Sequence, residues 1–326
     1  MKALLSDQVA DFFADLQSIY NVRVPVLLPD GTRSFGCFGA APLALLGGAL
    51  PEKPTSAFFP HSDIFFTAGS NSIQVQAPLS KPLLIAGFTP SDLKSLRFTD
   101  RFFDDGLRDD IYFRLRKNAV IVAVSGYCLP DGALIPPAGG GCDLELVFDG
   151  SIWFIMSYSE TGSKITAELP DNVPEEIVGP LPQETCFILN EDEELIKKAA
   201  SILRNDLVPD SFWEEIGDKC ILCTSCNLVC PTCTCFGVQD WRYGEAVERS
   251  RMWDSCQLSG FMREASGHNP LGTEALRTRR RIHHKLAADP LQWGEISCFL
   301  CGRCDAACPT GIGILAVARE MVHRFG

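Results

Sequence analysis

The sequence predicts an α+β protein in two parts: an N-terminal mixed α/β domain over residues 1–185, followed by an α-helical domain over 186–326. Three observations carry this. Short apolar, β-branched runs punctuate the first part, at 73–77 (IQVQA), 83–88 (LLIAGF) and 119–124 (AVIVAV). From about residue 183 the apolar residues recur at helical spacing instead. Of fifteen cysteines, only Cys37, Cys128, Cys142 and Cys186 precede residue 220, and the rest fall between 220 and 308. That crowding gives the second part its own chemistry. The change of texture sets the boundary within 185–210.

In chain order, Ser6 can cap a helix that carries Val9, Phe12, Phe13, Leu16 and Ile19 on one face. The three apolar runs read as strands, and LRFTDRFF and DIYFRLRK between them as helices. LELVFDGSIWFIM pairs two strands across Asp149-Gly150, a strong hairpin turn. Gly139-Gly140-Gly141 follows two prolines and lacks a strand-to-helix setting, so it reads as a loop rather than a nucleotide cradle. Asn190 with Glu193 forms a capping box for a helix through Leu203, whose apolar set is Leu195, Ile196, Ala199, Ile202 and Leu203. Ser211 with Glu214 starts another, running into Cys220. Segments 241–252, 257–265 and 273–287 lack strand alternation and read as helical, and Leu315–Phe325 as a closing helix.

Bulk properties exclude several classes. A net charge of −12 argues against non-specific nucleic-acid binding, which depends on basic surface. MKALLSDQVADFF has no sustained apolar core, so no signal peptide is expected, and no run reaches the eighteen or so apolar residues of a membrane helix. The expected compartment is the cytoplasm, where dense thiols point to metal rather than disulfides.

The chemistry-bearing motif occurs twice. Cys220, Cys223, Cys226 and Cys230-Pro231 fit C-x2-C-x2-C-x3-C-P, and Cys298, Cys301, Cys304 and Cys308-Pro309 fit it again. Three thiolates at such intervals wrap one corner of a cuboidal iron–sulfur cluster, while the fourth, carried on by a turn and helix, ligates the other cluster. One [4Fe–4S] cluster is therefore expected on Cys220, Cys223, Cys226 and Cys308, and a second on Cys298, Cys301, Cys304 and Cys230. Zinc sites need neither the third cysteine at this spacing nor the terminal Cys-Pro. The 67 residues from 231 to 297 leave little room in a two-hairpin ferredoxin, which favours an all-helical dicluster ferredoxin module.

The words CPTCTCF, MWDSCQLSGF, REASGHNP, RTRRRIHHK and CFLCGRCDAACP resemble a family of electron-transfer subunits. It contains the iron–sulfur relay subunit of anaerobic sulfite reductase and the beta subunit of cytoplasmic nickel–iron hydrogenases (sulfhydrogenases). FFPHSDIFF, KPLLIAGFTPSDLKSL and the text at Lys117–Val124 extend the resemblance into the N-terminal half. It implies a role in anaerobic metabolism and an α-helical ferredoxin module. Such a protein relays electrons between a flavoprotein partner, linked to NAD(P)H or ferredoxin, and a catalytic oxidoreductase partner. Relatives commonly carry cysteine where this chain has Ser91, and a Cys-x-Cys beyond the position of Cys128, where only Cys142 remains. The resemblance thus implies that any N-terminal cluster has been lost here, leaving Cys128 and Cys142 as buried thiols.

Cys233, Cys235 and Cys256 are left over. Two readings stay open: thiols packed around the clusters, or a third iron–sulfur centre completed by Asp254, His268 or a partner group. Arg277, Arg279, Arg280, Arg281 and Lys285, with His283 and His284, concentrate positive charge. Such a run is ordinarily a solvated helix face, though beside anionic cofactors it could stabilise the reduced state or dock an acidic partner. The adjacent histidines face different directions on a helix and make a poor metal pair. No triad, phosphate loop or dinucleotide fingerprint is present, so the chain is expected to relay electrons rather than bind NAD or turn over substrate. The competing function is an enzyme subunit with its own substrate-binding centre at Cys233, Cys235 and Cys256.

Overall fold

A computed structural model describes residues 2–75, 79–169 and 187–326, excluding the side chains of 187–190. The chain forms two compact units, Met1–Phe59 with Ala77–Cys186 and Pro60–Gln76 with Phe187–Gly326. The second unit therefore takes a segment out of the N-terminal half, which a single boundary at residue 185 does not accommodate.

The first unit comprises β1 (Lys2–Leu5), α1 (Val9–Leu16), β2 (Asn21–Leu27) and β3 (Arg33–Cys37). After β4 (Ser62–Ala68) and β5 (Ile73–Val75), which belong to the second unit, it resumes with β6 (Leu83–Phe88), α2 (Pro90–Asp104) and α3 (Asp110–Arg116). It ends with β7 (Val120–Gly126), β8 (Leu144–Phe148), β9 (Ile152–Ser157) and α4 (Glu160–Ala167). The sheet order is β1-β9-β8-β7-β6-β2-β3, with β2, β6, β7 and β8 parallel. Every residue of β6 and β7 is buried, as central parallel strands covered on both faces require.

Local chemistry explains the boundaries. Thr89 and Asp92 cap α2 reciprocally, the Thr89 amide donating to Asp92 Oδ2 at 3.1 Å and the Asp92 amide to Thr89 Oγ1 at 3.3 Å. Asp149 Oδ1 accepts from the amides of Ser151 and Ile152, both at 2.8 Å, and so closes the β8–β9 hairpin as its sequence predicts. Ser6 does not cap α1: its hydroxyl donates to the Ser151 carbonyl, because the chain ahead of the helix pairs as β1 with β9. The glycine run at 139–141 is a loop, and buried Glu145 accepts from the amides of Ala138 and Gly139 beside it.

The second unit comprises α5 (Phe187–Arg204), α6 (Asp210–Asp218), α7 (Ser225–Leu228), β10 (Phe236–Tyr243) and β11 (Ala246–Trp253). There follow α8 (Glu274–His283), a π-helical turn His284–Ala288, α9 (Asp289–Trp293), α10 (Arg303–Ala306) and α11 (Ile314–Phe325). Its apolar core gathers Ile196, Ala199 and Leu203 of α5, Phe212 and Ile216 of α6, Ile282 of α8, and Val317 and Met321 of α11. Asn190 lies inside α5 and Ser211 inside α6, so neither is a cap: both helices start further upstream, at Phe187 and Asp210.

The unit is not all-helical. Residues 241–252 belong to an antiparallel hairpin, and β10-β11-β4-β5 make a four-stranded sheet. Residues 257–265 are turns rather than a helix. Cys186 lies outside the described residues. Among those described, no helix is long and apolar enough to cross a membrane.

Candidate metal centre

The two cysteine motifs adopt the same backbone. Leu222 and Thr224 have φ of 54° and 63°, and their counterparts Leu300 and Gly302 have 57° and 73°. Each loop then runs into a one-turn helix, α7 or α10, which carries the third cysteine, Cys226 or Cys304. Left-handed geometry costs a residue other than glycine roughly 1–2 kcal/mol. Three such residues in two short loops mark a conformation imposed by function. Tight loops of this kind turn their amide N–H groups into a concavity that suits an anion, iron–sulfur cores included.

Cys220, Cys223, Cys226 and Cys308 line one cavity, together with Arg281, Gln257, Ile216 and Ile282. The fourth cysteine of the second motif thus faces the first three of the first. The Cys308 thiol is pulled below its ordinary value: burial opposes this, but hydrogen bonds from the Thr310 hydroxyl and the amides of Ile312, Thr310 and Gly311 prevail. The Ile312 amide donates to Cys308 Sγ at 3.4 Å. In contrast, burial pushes Cys226 up to about 11, against the pull of Arg281.

Around the second motif, burial raises Cys298 to about 12, and the charges of Cys304 and Cys230 add to the rise. Cys304 is raised to about 11, again mainly by burial and with Cys230 among its neighbours. Cys301 sits half-buried on the same loop. Thr232 Oγ1 lies 3.5 Å from Cys230 Sγ and donates to the Ser297 carbonyl at 2.7 Å, linking the exit of the first motif to the entry of the second.

The basic run on α8 is not a solvated face. Arg277, Arg281 and Lys285 recur every four residues and are all buried, whereas Arg279 turns outward to Asp206 and Asp210. Arg277 is tied to the Leu271 carbonyl at 2.8 Å and Glu274 at 2.7 Å. Arg281 Nε is buried with no hydrogen-bond partner. It faces the thiols of Cys226, Cys304, Cys233 and Cys230, which hold its charge firmly despite the opposing effect of burial.

The three leftover thiols do not meet at a point. Cys233 pairs with Cys230, and Cys235 with Cys256. Asn227 Nδ2 donates to Cys256 Sγ at 3.0 Å, and these hydrogen bonds, that from Cys235 foremost, lower the Cys256 thiol to about 5. Asp254 accepts from the Ser255 amide at 2.7 Å, and His268 is exposed in a surface turn. Among the described residues no three His, Cys, Asp or Glu side chains converge on a single ion. Ligands of a cuboidal cluster stand apart, one thiolate to each iron. The cavity, the left-handed loops and the orphaned Arg281 N–H fit such a group. Cys128 and Cys142 are raised by burial to about 11 and about 12, as expected of thiols held in the interior.

Residues 219–312 match the family described as a 4Fe-4S dicluster domain, which makes this chain an iron–sulfur protein of the electron-transport and oxidoreductase class. Sulfhydrogenase 2 subunit beta of Pyrococcus furiosus is 28% identical to it over 334 residues, covering 98% of this chain and 97% of the relative. Both findings bear out the family resemblance read from the cysteine motifs and their flanking words. No solved structure matches the chain.

Proposed function

We propose that this chain is the iron–sulfur electron-transfer subunit of a cytoplasmic multi-subunit oxidoreductase. It relays single electrons between a flavoprotein or ferredoxin-linked partner and a catalytic partner such as a nickel–iron hydrogenase or a sulfite reductase. Cys220, Cys223, Cys226 and Cys308 hold one [4Fe–4S] cluster, and Cys298, Cys301, Cys304 and Cys230 the other. When bound, such clusters accept and release one electron at a time. The chain's own residues fix the thiolates, exclude water through the apolar core of the second unit, and supply buried positive charge.

One observation carries the reading: Cys308, 82 residues beyond Cys226, lines the same cavity as the first three thiols. Anaerobic purification with iron analysis and EPR of the reduced protein tests it. About eight irons and two magnetically interacting spins are expected. About twelve irons would require a third centre, at Cys233, Cys235 and Cys256. An active monomer with its own substrate would overturn the relay.

A further inference from the structure

Arg281 and Lys285 stand four residues apart on the buried face formed by α8 and the π-helical turn, but they look at different sulfurs. Arg281, 6% exposed, lines the cavity of Cys220, Cys223, Cys226 and Cys308 and also reaches Cys304 and Cys230 of the second set. Lys285, 4% exposed, is absent from that cavity. Its Nζ donates to Thr232 Oγ1 at 2.6 Å, and that hydroxyl lies against Cys230. The sulfurs bearing on Lys285 are those of Cys230, Cys233 and Cys298.

The π-helical turn begins at His284, so Lys285 is the first inward side chain after the helix widens. Such turns recur at functional sites because the inserted residue re-aims its neighbours. Beyond it, Asp289 takes hydrogen bonds from His284 Nε2 at 3.1 Å and from Ser297. Asp289 is thereby occupied, leaving Lys285 free to act on the sulfurs.

We propose that Arg281 and Lys285 are positioning charges that set the potentials of the two clusters unequally, Arg281 bearing on both and Lys285 on the second alone. The inference rests on the dicluster reading above. A fixed positive charge a few ångströms from a cluster, shielded from water, favours its reduced and more negative state. The unequal placement makes the second cluster the better electron acceptor of the two. A relay needs such a gradient if electrons are not to be shared evenly.

The test is anaerobic potentiometric titration followed by EPR, with the two signals assigned through Cys223→Ser and Cys301→Ser. In Lys285→Met the reduced-to-oxidised ratio of the second cluster at a fixed potential should fall about tenfold, a midpoint shift of ~59 mV for one electron. The first cluster should move far less. Arg281→Gln should lower both, and Arg281→Lys and Lys285→Arg should restore most of the shift. Where Arg281→Gln fails to retain iron, Arg281→Lys and Lys285→Met carry the test. Full iron with unmoved potentials, or equal shifts of both clusters in Lys285→Met, would overturn the inference while leaving the dicluster reading intact. A wild-type protein without two clusters would overturn that reading instead.

Discussion

Arg251 of β11 and Asp63 of β4 form a buried ion pair at 2.9 Å, their side chains 0% and 4% exposed, across 188 residues of sequence. The guanidinium also lies 5.4 Å from the Phe65 ring centroid and 5.3 Å from that of Phe236. Removing one partner of such a pair strands a charge in the interior. Asp63→Ala is expected to cost about 3–5 kcal/mol, read as a lower urea midpoint by tryptophan fluorescence. The joint change Asp63→Leu with Arg251→Met should restore most of it, because the two charges then vanish together.

The crossed motif makes a different kind of prediction. Because Cys308 lines the cavity of the first three cysteines, Cys308→Ser should alter the EPR signal that Cys223→Ser also alters, and leave the other signal in place. A change confined to the signal affected by Cys301→Ser would show that each motif serves its own cluster.

Gly302 occupies the position that Thr224 holds in the first loop, and a Cβ added there would meet nothing within 4 Å. Its requirement is therefore conformational, not steric. Gly302→Val places a β-branched residue at positive φ and should destabilise the second loop by roughly 1–2 kcal/mol. Iron analysis should show preferential loss from the second site, whereas Thr224→Gly should retain full iron.

In the first unit, Tyr112 stacks on Phe103 with centroids 4.4 Å apart and donates to Asp100 Oδ1 at 2.6 Å. Burial, then the Asp100 charge, holds its hydroxyl well above the ordinary value of 10.0. A group whose folded pKa is raised contributes stability that is present below the unfolded value and lost as pH climbs toward the folded one. The thermal midpoint should therefore fall above about pH 10. Tyr112→Phe should flatten that alkaline limb, at a cost of about 1 kcal/mol at neutral pH from the lost hydrogen bond.

Much of this is legible in the sequence. The Asp149-Gly150 hairpin and the buried strands β6 and β7 announce themselves because their signals are local and strong. The hairpin β10–β11 does not. Much of both strands faces solvent, so no alternation marks them, and the partner β4 comes from residues 62–68. The usable signal is the two-residue turn Gly244-Glu245, with φ of 61° at the glycine.

The burial of the basic helix is hidden for a related reason. Arg281 and Lys285 are buried against sulfur from segments before and after them, and a charge run names no such partner on its own. Their spacing of four is the available clue.

The origin of β4 has a consequence for synthesis. Residues 62–68 leave the ribosome about 180 residues ahead of their partner strand, 246–253. At cellular elongation rates of 5–20 residues per second, that is a wait of roughly ten to forty seconds. Throughout it Asp63 lacks its arginine and the strand lacks its β11 neighbour, so the nascent chain displays a sticky segment in the middle of a unit otherwise ready to fold. A holding chaperone acting at that stage, before any iron is delivered, would shield the segment until the hairpin arrives.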